Sequence, residues 1–176
     1  HGEKHIYGPL EIHGKTYFSI PEGGAHALGL KGCLEIVDQS MDYDFIALAQ
    51  GTTTTSLGVL LSSSPNTEVW VFPVLKGFDS IQEMQTLAKK FDYEEEWNLN
   101  NHRLRVFSNY HFSGYGKGSH EVQQALNELQ VTTDFDLDKV YTMKAFVGLL
   151  TELNQQNNSL KGLFIHTGGV FSNGLF

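Results

Sequence analysis

The chain has 176 residues, 40% of them hydrophobic and 18% charged, with a formal net charge of −8. That length and balance suit one globular domain with its own core and exclude a disordered chain. The acidic balance argues against nucleic acid or an anionic membrane as partner, and no apolar run approaches the roughly 18 residues of a membrane helix.

Residues 1–15 have no clear period and read as a linker or as the remnant of a missing N-terminal part. Because the chain opens on His1 and not Met, its true start is expected to be missing. The β-rich run 16–20 is stopped by Pro21-Glu-Gly-Gly24. Leu30, Cys33, Leu34 and Val37 then follow at the spacing of an amphipathic helix. The apolar run Phe45–Ala49 predicts a strand covered on both faces, and 57–61 predicts a helix. Val69–Phe72 is the next strand. Ser80 is the expected cap of a helix over 81–91, and 92–101 is expected to be a surface loop. A strand at 104–107, helices around 122–129 and 143–150, a loop at 154–159 and a strand at 163–165 complete the order. Strand and helix in alternation predict an α/β fold with a mainly parallel sheet covered by helices. No internal repeat or domain boundary is visible, and 16–176 reads as a single domain.

In such sheets ligands bind beyond the carboxyl ends of the strands. Three unusual turns follow predicted strands: 21–24, 50–56 and 166–169. The second, Gln50-Gly-Thr-Thr-Thr-Thr-Ser56, offers backbone N–H groups, hydroxyls and a helix N-terminus to one phosphate. It lacks the lysine of a P-loop and the three glycines of a dinucleotide turn. On the local sequence, phosphate binding and simple helix capping both remain open. The eight histidines show no metal-binding spacing, so no metal is expected. Cys33 is the only cysteine, which rules out an internal disulfide and makes a cytoplasmic location the expectation.

The motifs Ile-Pro-Glu-Gly-Gly (20–24), Gly-Thr-Thr-Thr-Thr (51–55), Ser-Gly-Tyr-Gly-Lys (113–117), Leu-Asp-Lys-Val-Tyr-Thr-Met-Lys-Ala (137–145) and Ile-His-Thr-Gly-Gly (165–169) stand in register. Together they resemble the C-terminal part of the 1-aminocyclopropane-1-carboxylate deaminase / D-cysteine desulfhydrase family, fold-type-II enzymes dependent on pyridoxal phosphate. The resemblance implies the large, cofactor-bearing lobe of a two-lobed enzyme, often a homodimer, acting on a small amino acid. The implied reaction is α-proton removal and β-elimination to an α-keto acid and ammonia. It makes Gly51, Thr52, Thr53, Thr54 and Thr55 the loop for the cofactor phosphate, and Tyr115 and Tyr141 the catalytic tyrosines flanking the substrate. Thr167 matches the position beside the pyridine nitrogen, where a hydroxyl gives a weaker electron sink than a carboxylate; β-elimination tolerates that.

Three departures carry expectations of their own. Ring-opening deaminases of the family have Glu directly after the second tyrosine; Thr142 here favours a desulfhydrase-like member. Thr53 replaces a usual glycine, and its Cβ is expected to crowd the phosphate or forbid a positive φ. The family's Schiff-base lysine lies upstream of the match to Pro21, so the chain alone is expected to be inactive. Lys144 reads as a family-typical residue at a helix start and the other lysines as surface. Two rival readings stand beside this one: a non-catalytic remnant of the family, and an unrelated phosphate-binding α/β module.

Overall fold

Alternating apolar side chains split the central strands between two cores. In β3 (Phe45–Gln50), Ile46 and Leu48 face one side of the sheet while Phe45, Ala47 and Ala49 face the other. The computed structural model describes residues 9–112, 119–128, 137–138, 141–156 and 158–168. Four strands form one parallel sheet in the order β5-β4-β3-β6, with β4 at Glu68–Pro73, β5 at Leu104–Val106 and β6 at Gly162–Ile165. Every residue of β3 is buried, as a strand covered on both faces requires.

Helices α1 (Ala27–Cys33), α2 (Thr54–Ser62), α3 (Ser80–Lys90) and α4 (Glu94–Asn100) pack on the first face, contributing Leu30, Leu57, Leu60, Met84, Leu87 and Trp97 to its core. Helix α6 (Thr142–Asn154) covers the second face through Ala145 and Leu149, against Phe45, Trp70 and Phe72. Helix α5 (Ser119–Glu128) rests beside α6. This is the parallel, helix-covered α/β sheet that the alternation of elements predicts. No helix is long and apolar enough to cross a membrane among the described residues.

Four local expectations are corrected. Residues 92–101 are not a loop: three glutamates at 94–96 favour the positive end of a short helix, and Trp97 anchors it in the core. The cap of α3 is Asp79, whose Oδ1 accepts from Gln82 N at 3.0 Å; Ser80 is already helical. The helix through Leu30 ends at Cys33, where its bonds tighten to an i→i+3 pattern, Glu35 N to Gly32 O and Ile36 N to Cys33 O. Val37 is buried all the same, because a tighter turn returns it to the same face. Finally, residues 9–12, read as part of a linker, form β1 (Pro9–Ile12), which pairs antiparallel with β2 (Lys15–Phe18), the strand expected in the β-rich run 16–20. His13 and Gly14 turn this hairpin with φ of 50° and 71°, the two positive angles of a type I′ turn.

Candidate functional site

The chain adds β4 and then β5 on one side of β3, then returns to place β6 on its other side. The strand order thus reverses between β3 and β6, and the carboxyl ends of two strands at such a reversal are the point at which open α/β sheets bind ligands. A cleft of about 290 Å³ lies there, lined by Gly51, Thr52 and Thr55 after β3, Thr167 after β6, Tyr141 at the start of α6, and Glu22. Gly23 and Ala49 complete the described wall.

The loop after β3 is held from below. Gln50 Nε2 donates to Ser56 Oγ at 2.9 Å, and Ser56 Oγ donates to Thr53 O at 3.0 Å, all in the buried interior. No side chain caps the N-terminus of α2. Thr54 Oγ1 is buried with no hydrogen-bond partner. A helix N-terminus that no side chain caps, reached from the cleft through Gly51, Thr52 and Thr55, suits an anion. A Cβ on Gly51 would sit 3.1 Å from Tyr141 Cε1, so glycine keeps open the space between loop and phenol. These observations fit a phosphate group at this loop. Thr53 removes one expected obstacle: its φ is −78°, so the backbone makes no demand for glycine there, although its side chain is buried.

Tyr141 is positioned by a cap that sequence reasoning missed. Asp138, itself buried, accepts from Tyr141 N at 2.8 Å and Thr142 N at 2.9 Å. Thr142 Oγ1 donates to Asp138 Oδ2 at 2.6 Å and is fully buried. The Asp-x-x-x-Thr spacing before an apolar periodic run was the available signal. On the opposite wall, Thr52 Oγ1 donates to Gly23 O at 3.3 Å. Gly23 adopts φ 59°, and a Cβ there would fall 1.8 Å from Thr52 Oγ1, so only glycine lets the 22–24 turn close against the loop. Glu22 and Gly23 were not singled out as site residues by the motif alone.

Among the expected residues, Gly51, Thr52, Thr55, Tyr141 and Thr167 share this cleft, whereas Thr53 and Thr54 are buried and do not line it. Tyr115 lies outside the described residues. Lys144 is fully buried, and its Nζ donates to His111 O at 3.0 Å. Burial pushes its pKa down, partly opposed by Glu121. The other described lysines are exposed. A larger hollow of about 500 Å³ opens at the other end of the sheet, between Phe45, Trp70, Phe107 and Leu160. Its rim is already satisfied, Glu68 being paired with Arg105 at 2.8 Å and with Trp70 Nε1 at 2.9 Å, which leaves little polarity for a ligand.

Fold and cleft together define a parallel α/β domain with an anion-suited loop at its switch point. No family model matches the chain. Among curated proteins it is 30% identical over 174 residues to a protein of Pyrococcus furiosus named "Putative 1-aminocyclopropane-1-carboxylate deaminase", over 92% of this chain and 52% of that one. Proteins of the same name from Pyrococcus horikoshii (32% over 169 residues, 92% and 52%) and Thermotoga maritima (31% over 185 residues, 94% and 55%) are similar to it. The crystal structure of a homologue of that deaminase superposes with a TM-score of 0.61 at 27% identity, over 87% of this chain and 49% of that chain. The chain belongs to the 1-aminocyclopropane-1-carboxylate deaminase family and spans about half the length of the curated relatives it matches.

Proposed function

We propose that this chain forms the cofactor-phosphate wall of a pyridoxal-phosphate enzyme that deaminates a small amino acid by α-proton removal and β-elimination. One observation carries the reading: Gly51, Tyr141 and Thr167, far apart in sequence, line one cleft at the switch point of the sheet. Bound pyridoxal phosphate supplies an electron sink for the substrate's α-carbon. The loop 51–55 holds the phosphate through N–H groups and hydroxyls at the α2 N-terminus. Thr167 offers a hydroxyl to the ring nitrogen. Tyr141, set by the Asp138 cap, positions the substrate or relays a proton at its phenolic oxygen. The cofactor lysine of the family has no match among the chain's ten lysines.

Within that reading, a desulfhydrase-like member is favoured over a ring-opening deaminase. Thr142 turns its hydroxyl inward onto Asp138, so the position after the second tyrosine presents no acid to a substrate. The test supplies the lysine-bearing half of a relative as a second chain, adds pyridoxal phosphate, and follows keto-acid release from D-cysteine and from 1-aminocyclopropane-1-carboxylate. The expected result is no turnover by the 176 residues alone, and release from D-cysteine once the second chain is present. Saturable cofactor binding without release from either substrate would favour the non-catalytic remnant.

A further inference from the structure

The β1–β2 hairpin carries apolar side chains on both of its faces. Strand register sets Leu10 opposite Tyr17 on one face and Pro9 opposite Phe18 on the other. All of these residues are exposed, and neither core of the sheet includes any of them. The patch continues past the hairpin. Ile20 is 83% exposed and Leu28 73%, and with Phe18 and Pro21 they line a hollow of about 380 Å³ beside the start of α1. Glu11, His13 and Lys15 stand nearer the turn, so the apolar groups gather at the base of the hairpin. Contiguous apolar surface on the order of several hundred Å² marks an interaction site in a soluble chain.

A hairpin that covers a core on one side and meets water on the other is apolar on one face only. This one needs a cover on each, which calls for a body large enough to enclose it. The chain spans about half the length of the curated relatives it matches, so a family-length protein has a comparable length of polypeptide besides the part matched here. We propose that the hairpin and its hollow are the docking surface for the half of a family-length polypeptide that this chain does not span. A second copy of this chain fits less well, because two hairpins packed face to face leave the outer face of each bare. The inference rests on the family relationship and the exposed patch, and does not depend on the phosphate reading of the 51–55 loop. Docking here sets the partner close to the cleft, because the turn that walls the hollow through Pro21 and Gly24 is the one whose Gly23 closes on Thr52.

The test combines the chain with the unspanned half of a relative in two forms. In one the two are separate chains refolded together; in the other a flexible linker joins them, so that half needs no fold of its own. Amide hydrogen exchange of residues 10–20 is followed in the chain alone and in both forms, and association of the separate chains is measured by calorimetry. The expected result is a one-to-one complex in which these amides exchange at least about tenfold more slowly than in the chain alone. Phe18→Asp combined with Ile20→Asp is expected to weaken association at least about thirtyfold. Both side chains are exposed, so the double variant alone should melt at the wild-type temperature. Slowed exchange in the linked form alone still supports the proposal. Hairpin amides that exchange as fast in the linked protein as in the chain alone overturn it, as does a complex whose affinity the double variant leaves unmoved. A dimer of the chain alone that the double variant dissociates would give the patch to a second copy. Slow exchange of the same amides in the free monomer would give it to another part of this chain, and either result overturns the proposal.

Discussion

Arg103 closes the carboxyl end of α2 from outside the helix. Its Nη1 donates to Ser63 Oγ, Ser64 O and Thr67 O at 2.7 to 2.9 Å, and its Nη2 to Leu60 O and Asn100 Oδ1 at 2.7 and 2.6 Å. Removing the guanidinium leaves buried carbonyls without donors. Arg103→Met is therefore expected to lower the unfolding free energy by about 3 kcal/mol in urea denaturation. A loss of a few tenths would show that water replaces it. At the cleft, Gly51→Ala places a methyl group 3.1 Å from the Tyr141 ring, so phenol or loop must yield. Pyridoxal phosphate affinity should fall severalfold with little change in melting temperature; an unchanged affinity would place the ligand elsewhere. In the sequence the Gly-Thr run after β3 was visible as a turn open to either anion binding or helix capping. Tyr141 and Thr167 were reached only through the family resemblance, because a lone phenol at a helix start or a lone hydroxyl at a strand end has ordinary structural uses. Glu22 was not reached at all, because nothing local to Pro-Glu-Gly-Gly says which loop it faces.

Helix α6 links core and cleft. It begins at the Asp138 cap beside Tyr141, and its last turn accepts Tyr110 Oη through Glu152 at 2.7 Å. Asp138→Ala is expected to cost about 1 kcal/mol of stability and to weaken ligand binding as well, because Tyr141 loses its anchor. A stability loss with unaltered binding would separate helix capping from the site. The Tyr110 phenol is pushed up to about 12 by burial and by the Glu152 carboxylate. A raised pKa means the fold favours the protonated phenol. That stabilisation is complete below the unfolded value of about 10 and is lost as pH rises toward 12. Wild type should lose more melting temperature than Tyr110→Phe between pH 9 and 11.5, and parallel curves would contradict the assignment. Strands and long helices were readable because their apolar periods are continuous. Helix α4 was hidden by its glutamates, which read as a loop until Trp97 is seen to bury, and the first strand of the hairpin by its lack of a clear apolar period, although the β-rich run 16–20 foretold the second.

At the scale of the molecule, the four-stranded sheet has a core on each face, whereas every residue of the β1–β2 hairpin is exposed, Phe18 by 76%. Isolated two-stranded hairpins are marginal in water. Deleting residues 1–18 is accordingly expected to leave the cooperative melt of the sheet within a few degrees of wild type; loss of the transition would mean the hairpin is part of the core. The parallel order with β6 returned beside β3 places the crevice between those strands, and the proposal is that it holds a cofactor phosphate. The most direct test of that claim is a backbone amide NMR titration of the chain with pyridoxal phosphate, repeated with pyridoxal, which lacks the phosphate. The amides of Gly51 to Ser56 should shift with the phosphate ester and with inorganic phosphate, and remain nearly unmoved by pyridoxal. Shifts confined to other residues, or the same shifts with and without the phosphate, would contradict it.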